Sequence, residues 1–434
     1  MHIQIFLLLP LILLLAAGCS SFSASNVKKQ PGDQPAPTKA TFNVSPDRGH
    51  DDTLVILALS GGGSRSAYLS TSVMFRLSQV FDDLDLLAEV DAISSVSGGS
   101  LPAAYYTIST EPEEVAATGY GREWEEQNVK HLMERNYIGR WFGNWFWPVN
   151  IGKYWFTDYD RTDIMAQTFA DNLYDTLPAG RDLTIGDLLP ERPYLILNAT
   201  NGTNNQFGQP LTFTREAFDE LDSDINAYEL SRAVMASASF PAVFNYMTLR
   251  NHSDGVGDEE RFTHVFDGGN FDNLGLGSVL RILKTLKNEG TEYDRLVVIL
   301  VDAYAESGGV SGGKSDSRKF TDFIVDSNFF DATDSLLKSN RERVLKTFET
   351  NFSSYRPASK SIFYHIQFAD VADPELKREL NRIKTDFRID PEDAKRIDRA
   401  VSELLTPENT CLAAIRNLLV TGNSSAEWRC TFSD

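Results

Sequence analysis

Residues Ile93 to Ala104 read ISSVSGGSLPAA, and the rest of the chain is organised around them. An apolar run from Val90 to Val96 has the character of a short buried strand. It stops at Ser97, where Gly98 and Gly99 follow before small and apolar residues resume as a helix. Strand, sharp turn, helix, with a serine at the turn, is the grammar of a nucleophile elbow: only small neighbours let the backbone bend tightly enough to lift one hydroxyl above a sheet. The usual elbow is G-x-S-x-G, and Ser95 stands in place of its first glycine, so strain is expected there. Taken alone, the stretch reads more simply as a plain Gly-Gly loop.

Working outward, the runs TLVILAL (Thr53 to Leu59), YLILNA (Tyr194 to Ala199) and LVVILV (Leu296 to Val301) are unbroken apolar segments of the kind buried on both faces of a parallel sheet. A further strand-like segment spans Ser361 to Phe368. Between the first two strands, Leu69, Val73 and Leu77 recur at helical spacing over Ser66 to Val80. Strands alternating with helices predict an α/β fold, a three-layer sandwich with a central, mostly parallel sheet. The expected organisation is a signal segment over 1–18, a flexible polar tether over 19–52 and a catalytic α/β domain over 53–318. A mainly helical, charged extension over 319–434 packs on the same domain.

The 434 residues carry a formal charge of −20, with no run of Lys and Arg. That excludes nucleic acid as a partner, since phosphate binding rests on clustered cations, and argues against electrostatic docking on anionic lipid. The N-terminus offers another route to a membrane. Ile3 to Ala17 is nearly all Leu, Ile and Ala, the length of a signal-peptide core, and it ends Leu15, Ala16, Ala17, Gly18, Cys19. Small residues before a cysteine resemble the lipobox of bacterial lipoproteins, in which the cysteine becomes the acylated first residue. The resemblance implies an exported, membrane-anchored lipoprotein on the outer-membrane or periplasmic side of a bacterial envelope. Export makes Cys411 and Cys430 either a disulfide or two buried thiols. No cysteine or histidine has metal-ligand spacing, and neither metal nor cofactor is expected.

Four of the six tryptophans fall within 139–156, beside Phe142, Phe146 and Phe156. The segment reads either as a satellite core beneath a loop or as a lid or acyl-facing surface.

Two further motifs bear on Ser97. The first strand runs into Ser60, Gly61, Gly62, Gly63, Ser64 and Arg65 and then a helix. Three glycines there expose backbone N–H groups at the positive end of the helix, suited to phosphate or to an oxyanion. Neither nucleotide-loop pattern is present. A serine also needs a base. Asp267, in FTHVFDGGNFDNLGL, is delivered by a strand-like stretch, Phe262 to Phe266, to a Gly268-Gly269 turn.

GGGSR, a serine elbow and DGG in this order resemble the patatin-like phospholipases and their relatives among the cytosolic phospholipases A2. LILNATNGTNNQFGQPLTFT (Leu195 to Thr214) and SRAVMASASFPAVF (Ser231 to Phe244) add to the likeness, which spans roughly Thr53 to Asp302. The resemblance implies hydrolysis of lipid acyl esters by a Ser97-Asp267 dyad without histidine. It also implies an oxyanion hole from Gly61, Gly62 and Gly63 supported by Arg65, and an elbow of Ser95, Gly98 and Gly99. Ser60 and Ser66 depart from the plant-type pattern, which has Asp and Gly there. Two other readings stay open: an α/β-hydrolase triad of Ser97, Asp267 and His365, and a non-catalytic lipid-binding or assembly lipoprotein.

Overall fold

The computed structural model describes residues 24–30, 52–118, 121–174, 181–203, 206–241, 243–253, 261–289, 293–305, 327–422 and 429–430. The expected signal segment and Cys19 lie outside them.

Nine strands are described: β1 (Thr53–Leu59), β2 (Ala92–Val96), β3 (Tyr194–Asn201), β4 (Pro210–Phe213), β5 (Met247–Asn251), β6 (Arg261–Asp267), β7 (Arg295–Asp302), β8 (Ser361–Gln367) and β9 (Arg429–Cys430). The apolar runs become the middle of the sheet because their side chains are needed on both faces. Leu54, Ile56 and Ala58 of β1 enter one core, whereas Val55, Leu57 and Leu59 enter the other. β2 and β7 flank β1 in parallel, β3 lies parallel outside β2, and β8 and then β9 continue parallel beyond β7. The helices Gly63–Gln79, Ser100–Thr107, Arg161–Phe169, Leu230–Ser237, Pro391–Leu404 and Thr410–Thr421 cover one face. Leu276–Glu289 and Ser327–Phe352 cover the other through Leu283, Phe348 and Phe352. This is the expected three-layer α/β architecture.

One detail of the sheet places the site. A strand has two edges, and β4 runs antiparallel along one edge of β3, opposite residues 197–200. β2 occupies the other edge and ends with Val96 opposite Asn198. β6 then comes down that same edge in the opposite sense, its last residue, Asp267, opposite Ala199. Backbone bonds agree: the amides of Tyr194 and Gly202, of like parity, donate to Asp91 and His264, whereas Asn201 donates the other way to Gln209. β2 and β6 therefore meet end to end. The two residues where they meet are Ser97 and Asp267.

Two expected boundaries change. Residues 24–30, inside the stretch read as a flexible tether, lie against the domain. Ala24 forms a parallel bridge with Thr248, and the Asn26 amide donates to Ser223 Oγ (2.6 Å) and the Arg250 carbonyl (2.8 Å) while accepting from the Arg250 N–H (2.7 Å). Polar pairing of this kind leaves no apolar periodicity to read. The C-terminal region is likewise more than a packed extension, because β8 pairs in register with β7 over seven residues. A disulfide between Cys411 and Cys430 ties the helix Thr410–Thr421 to β9. Among the described residues, no helix is long and apolar enough to cross a membrane.

Candidate active site

Ser97 sits at φ 50°, in the left-handed region, at the tip of β2. The strain expected at Ser95 is thus carried by Ser97 itself. Ser95 is a regular, buried strand residue opposite Leu59, its hydroxyl bonded to the Ile196 carbonyl (3.3 Å) and accepting from Ser100 (3.1 Å). A non-glycine residue held left-handed costs about 1 kcal/mol or more, so its surroundings must fix it. They do so through Ser237, whose hydroxyl accepts the Ser97 N–H (3.0 Å) and donates to the Asn198 carbonyl (2.6 Å). Gly98 and Gly99 have ordinary backbone angles, and close approach is what requires them. A Cβ on Gly98 would lie 2.0 Å from the Gly63 carbonyl oxygen, and one on Gly99 2.7 Å from that of Ser60.

The Ser97 hydroxyl donates to Asp267 Oδ2 at 2.8 Å. The other carboxylate oxygen accepts the Gly269 N–H, also at 2.8 Å. Asp267 is 5% exposed. Burial pushes its pKa from 3.8 up to about 6, against the opposing pull of the Gly269 amide and the Ser97 hydroxyl. A carboxylate of that basicity can accept a proton near neutral pH and return it.

The glycine-rich turn packs beside this pair. A Cβ on Gly61 would lie 3.3 Å from Ser97 Cβ. The Gly61 N–H is spent on the Asn273 carbonyl (2.9 Å) and the Ser64 N–H on the Asp386 carbonyl (2.7 Å). Gly61 therefore shapes the loop, and the expectation that it offers a free donor is corrected. The N–H groups of Gly62 and Gly63 have no acceptor among the described residues. Both glycines have positive φ, 145° and 60°. Arg65 is buried in this wall: Nε donates to the Ala303 carbonyl (2.8 Å), Nη1 to the Ile383 carbonyl and Nη2 to Thr385 Oγ1 (3.2 Å). Its guanidinium braces the loop from behind.

His365 does not complete a triad with Asp267. Its Nε2 lies 3.0 Å from Asp302 Oδ2, which Arg341 also engages. Burial would raise the Asp302 pKa, but the His365 hydrogen bond and the Arg341 charge outweigh it and hold it at about 2. Three residues that the motifs do not single out serve the site. Asn273 and Ser237 lie inside quoted motif stretches, but Asp386 comes from the C-terminal region, and no sequence signal marks it. Among the described residues, no group of three or more His, Cys, Asp or Glu is placed to hold a metal.

An α/β sheet that presents a strained serine against a buried aspartate, beside a turn with two open amides, is an arrangement suited to acyl transfer. A patatin-like phospholipase family model matches residues 57–280, just over half of the 434-residue chain. The chain belongs to the patatin-like phospholipase family. The comparison with curated proteins gives no match. Among solved structures, the chain is similar to human GIVD cytosolic phospholipase A2, at 12% identity and a TM-score of 0.46, covering 84% of this chain and 60% of that one. The same human protein in complex with methyl gamma-linolenyl fluorophosphonate and terbium chloride has a TM-score of 0.43 at 12% identity, covering 85% and 59%. VipD from Legionella pneumophila is 12% identical with a TM-score of 0.28, covering 89% and 72%. This chain thus spans about three fifths of the length of the human chains.

Proposed function

We propose that this protein is a serine acyl hydrolase of lipid esters, of the phospholipase A or lysophospholipase type. We propose further that it works as an exported lipoprotein acylated on Cys19. Family membership supports lipid esters as the substrate class. The observation that carries the chemistry is the 2.8 Å contact between Ser97 Oγ and Asp267 Oδ2 at a left-handed turn.

In this scheme Ser97 Oγ attacks the ester carbonyl carbon as its proton passes to Asp267. The oxyanion is held by the N–H groups of Gly62 and Gly63. Collapse of the tetrahedral species breaks the bond to the alcohol, which leaves with the proton from Asp267. Water then attacks the acyl-serine, gives a proton to Asp267, and the fatty acid departs as Ser97 recovers it.

The test is labelling with a fluorophosphonate, which phosphonylates an activated serine. Wild type should label and Ser97→Ala should not, with hydrolysis falling by on the order of 10⁶ if the dyad acts as a unit. A folded wild type that neither labels nor hydrolyses would point to the lipid-binding role instead. Metabolic labelling with palmitate, lost in Cys19→Ser, tests the anchor separately.

A further inference from the structure

The aromatic segment forms the helices Tyr137–Trp145 and Pro148–Phe156, with part of its rings buried and part exposed. Trp141 is buried and packs on Trp145 (5.1 Å between ring centroids) and Phe244 (5.4 Å). Facing outward are Phe142 (48% exposed), Phe146 (71%), Trp147 (63%), Val149 (59%), Ile151 (38%) and Phe156 (81%), six of the ten exposed large apolar residues described. In a chain with 24% charged residues, Trp141 to Thr157 contains a single charge, Lys153. An apolar patch of this kind on a soluble face marks an interaction surface.

Two observations say what covers it. First, the patch adjoins the rim of the site. The Ser64 N–H binds Asp386, the neighbouring Phe387 packs on Phe244 (5.4 Å), Phe244 packs on Trp141, and Trp141 on Phe142 (5.0 Å). On the Asp267 side, Phe266 supports the exposed rings of Phe207 and Tyr246. Second, the docked segment 24–30 begins at this end. Its bridge to β5 is parallel and joins Ala24, the first residue of the segment, to Thr248, near the end of β5 that Asn245 and Tyr246 lead into. Asn245 in turn is bonded to Thr162 and Asp160, directly after the aromatic helices. Cys19 is five residues upstream, within roughly 18 Å of Ala24 even at full extension.

We propose that the exposed face of residues 142–156 docks on the headgroup and upper acyl region of a phospholipid bilayer, holding the Ser97 site against the membrane that anchors the chain. Tryptophan and phenylalanine partition into that interfacial zone, and the absence of acidic residues lets this face approach lipid although the protein carries −20 overall. The polar docking of residues 24–30 leaves four residues of sequence, Ser20 to Ser23, between the docked segment and Cys19. The proposal rests on the lipid-hydrolase reading for its purpose but not for its test.

Full-length protein anchored in phosphatidylcholine vesicles with brominated acyl chains is compared with Trp147→Phe by tryptophan fluorescence. The component missing from Trp147→Phe should be the strongly quenched one, in wild type and in Ser97→Ala alike. With Phe146→Ser/Phe156→Ser, the ratio of vesicle-lipid turnover to turnover of a soluble short-chain ester should fall at least about tenfold. Quenching without any turnover supports the docking surface and refutes the hydrolase. An unquenched Trp147 component, or one shielded by self-association of the protein in solution, overturns the proposal.

Discussion

Asp267→Asn should make the protein more stable at neutral pH while removing its hydrolysis. Asn has the size of Asp, its oxygen can accept the Gly269 N–H, and its amide can donate to Ser97 Oγ, so both contacts at 2.8 Å have a replacement. What disappears is the cost of ionising a buried carboxyl. With the folded pKa at about 6 and the ordinary value at 3.8, the folded state favours the protonated acid. The associated stability is present below 3.8 and is lost as pH rises through about 6. The variant escapes that loss, so its advantage should grow from under about 1 kcal/mol at pH 4 to about 3 kcal/mol at pH 8. Urea unfolding of both proteins across this range measures it. A stability difference that does not change with pH, or a variant less stable than wild type at pH 8, would refute the reasoning. The same ionisation sets activity in the wild type: kcat/KM should rise with pH, inflect near 6, and at pH 5 stand at about a tenth of its plateau.

Three further outcomes follow from the site. Gly62→Ala forces a side chain onto φ 145° and should lower kcat by about 10² to 10³ by moving an open amide, measured on a soluble ester; near-normal turnover would remove Gly62 from the oxyanion site. His365→Ala leaves Asp302 with Arg341 and the Tyr304 N–H and should cost about 1 to 3 kcal/mol in stability, yet lower kcat/KM by less than about tenfold. A loss of about 10⁴, with folding intact, would reinstate the triad. Gly98→Ala drives a Cβ to 2.0 Å from the Gly63 carbonyl, so the turn and the elbow must separate and fluorophosphonate labelling should slow markedly; unchanged labelling would show that their contact is dispensable.

The parts of this molecule that were legible in its sequence are those where one physical requirement acts on many neighbouring residues. TLVILAL announces a central strand because both of its faces are buried, and GGGSR, VSGG and DGG stand out because tight turns tolerate few side chains. Contacts made by lone residues are a different matter. Asp386 reaches the glycine turn through its backbone carbonyl, which any residue could supply. The docking of Asn26 is satisfied by hydrogen bonds with no apolar pattern. Ser95 suggested strain from a motif template, whereas the conformation that lifts the hydroxyl falls on Ser97.

The shared edge of β3 has a consequence for the order in which the molecule matures. Ser97 and Asp267 are 170 positions apart, and their meeting depends on two strands arriving on one edge from opposite ends. Contacts so distant in sequence form late, after the loop-closure cost of the intervening chain has been met. A partly synthesised or unfolded chain can have the serine, or the glycine turn, but not the serine with its aspartate. Latency is thus built into the topology: the serine meets its aspartate only when the whole sheet has been assembled.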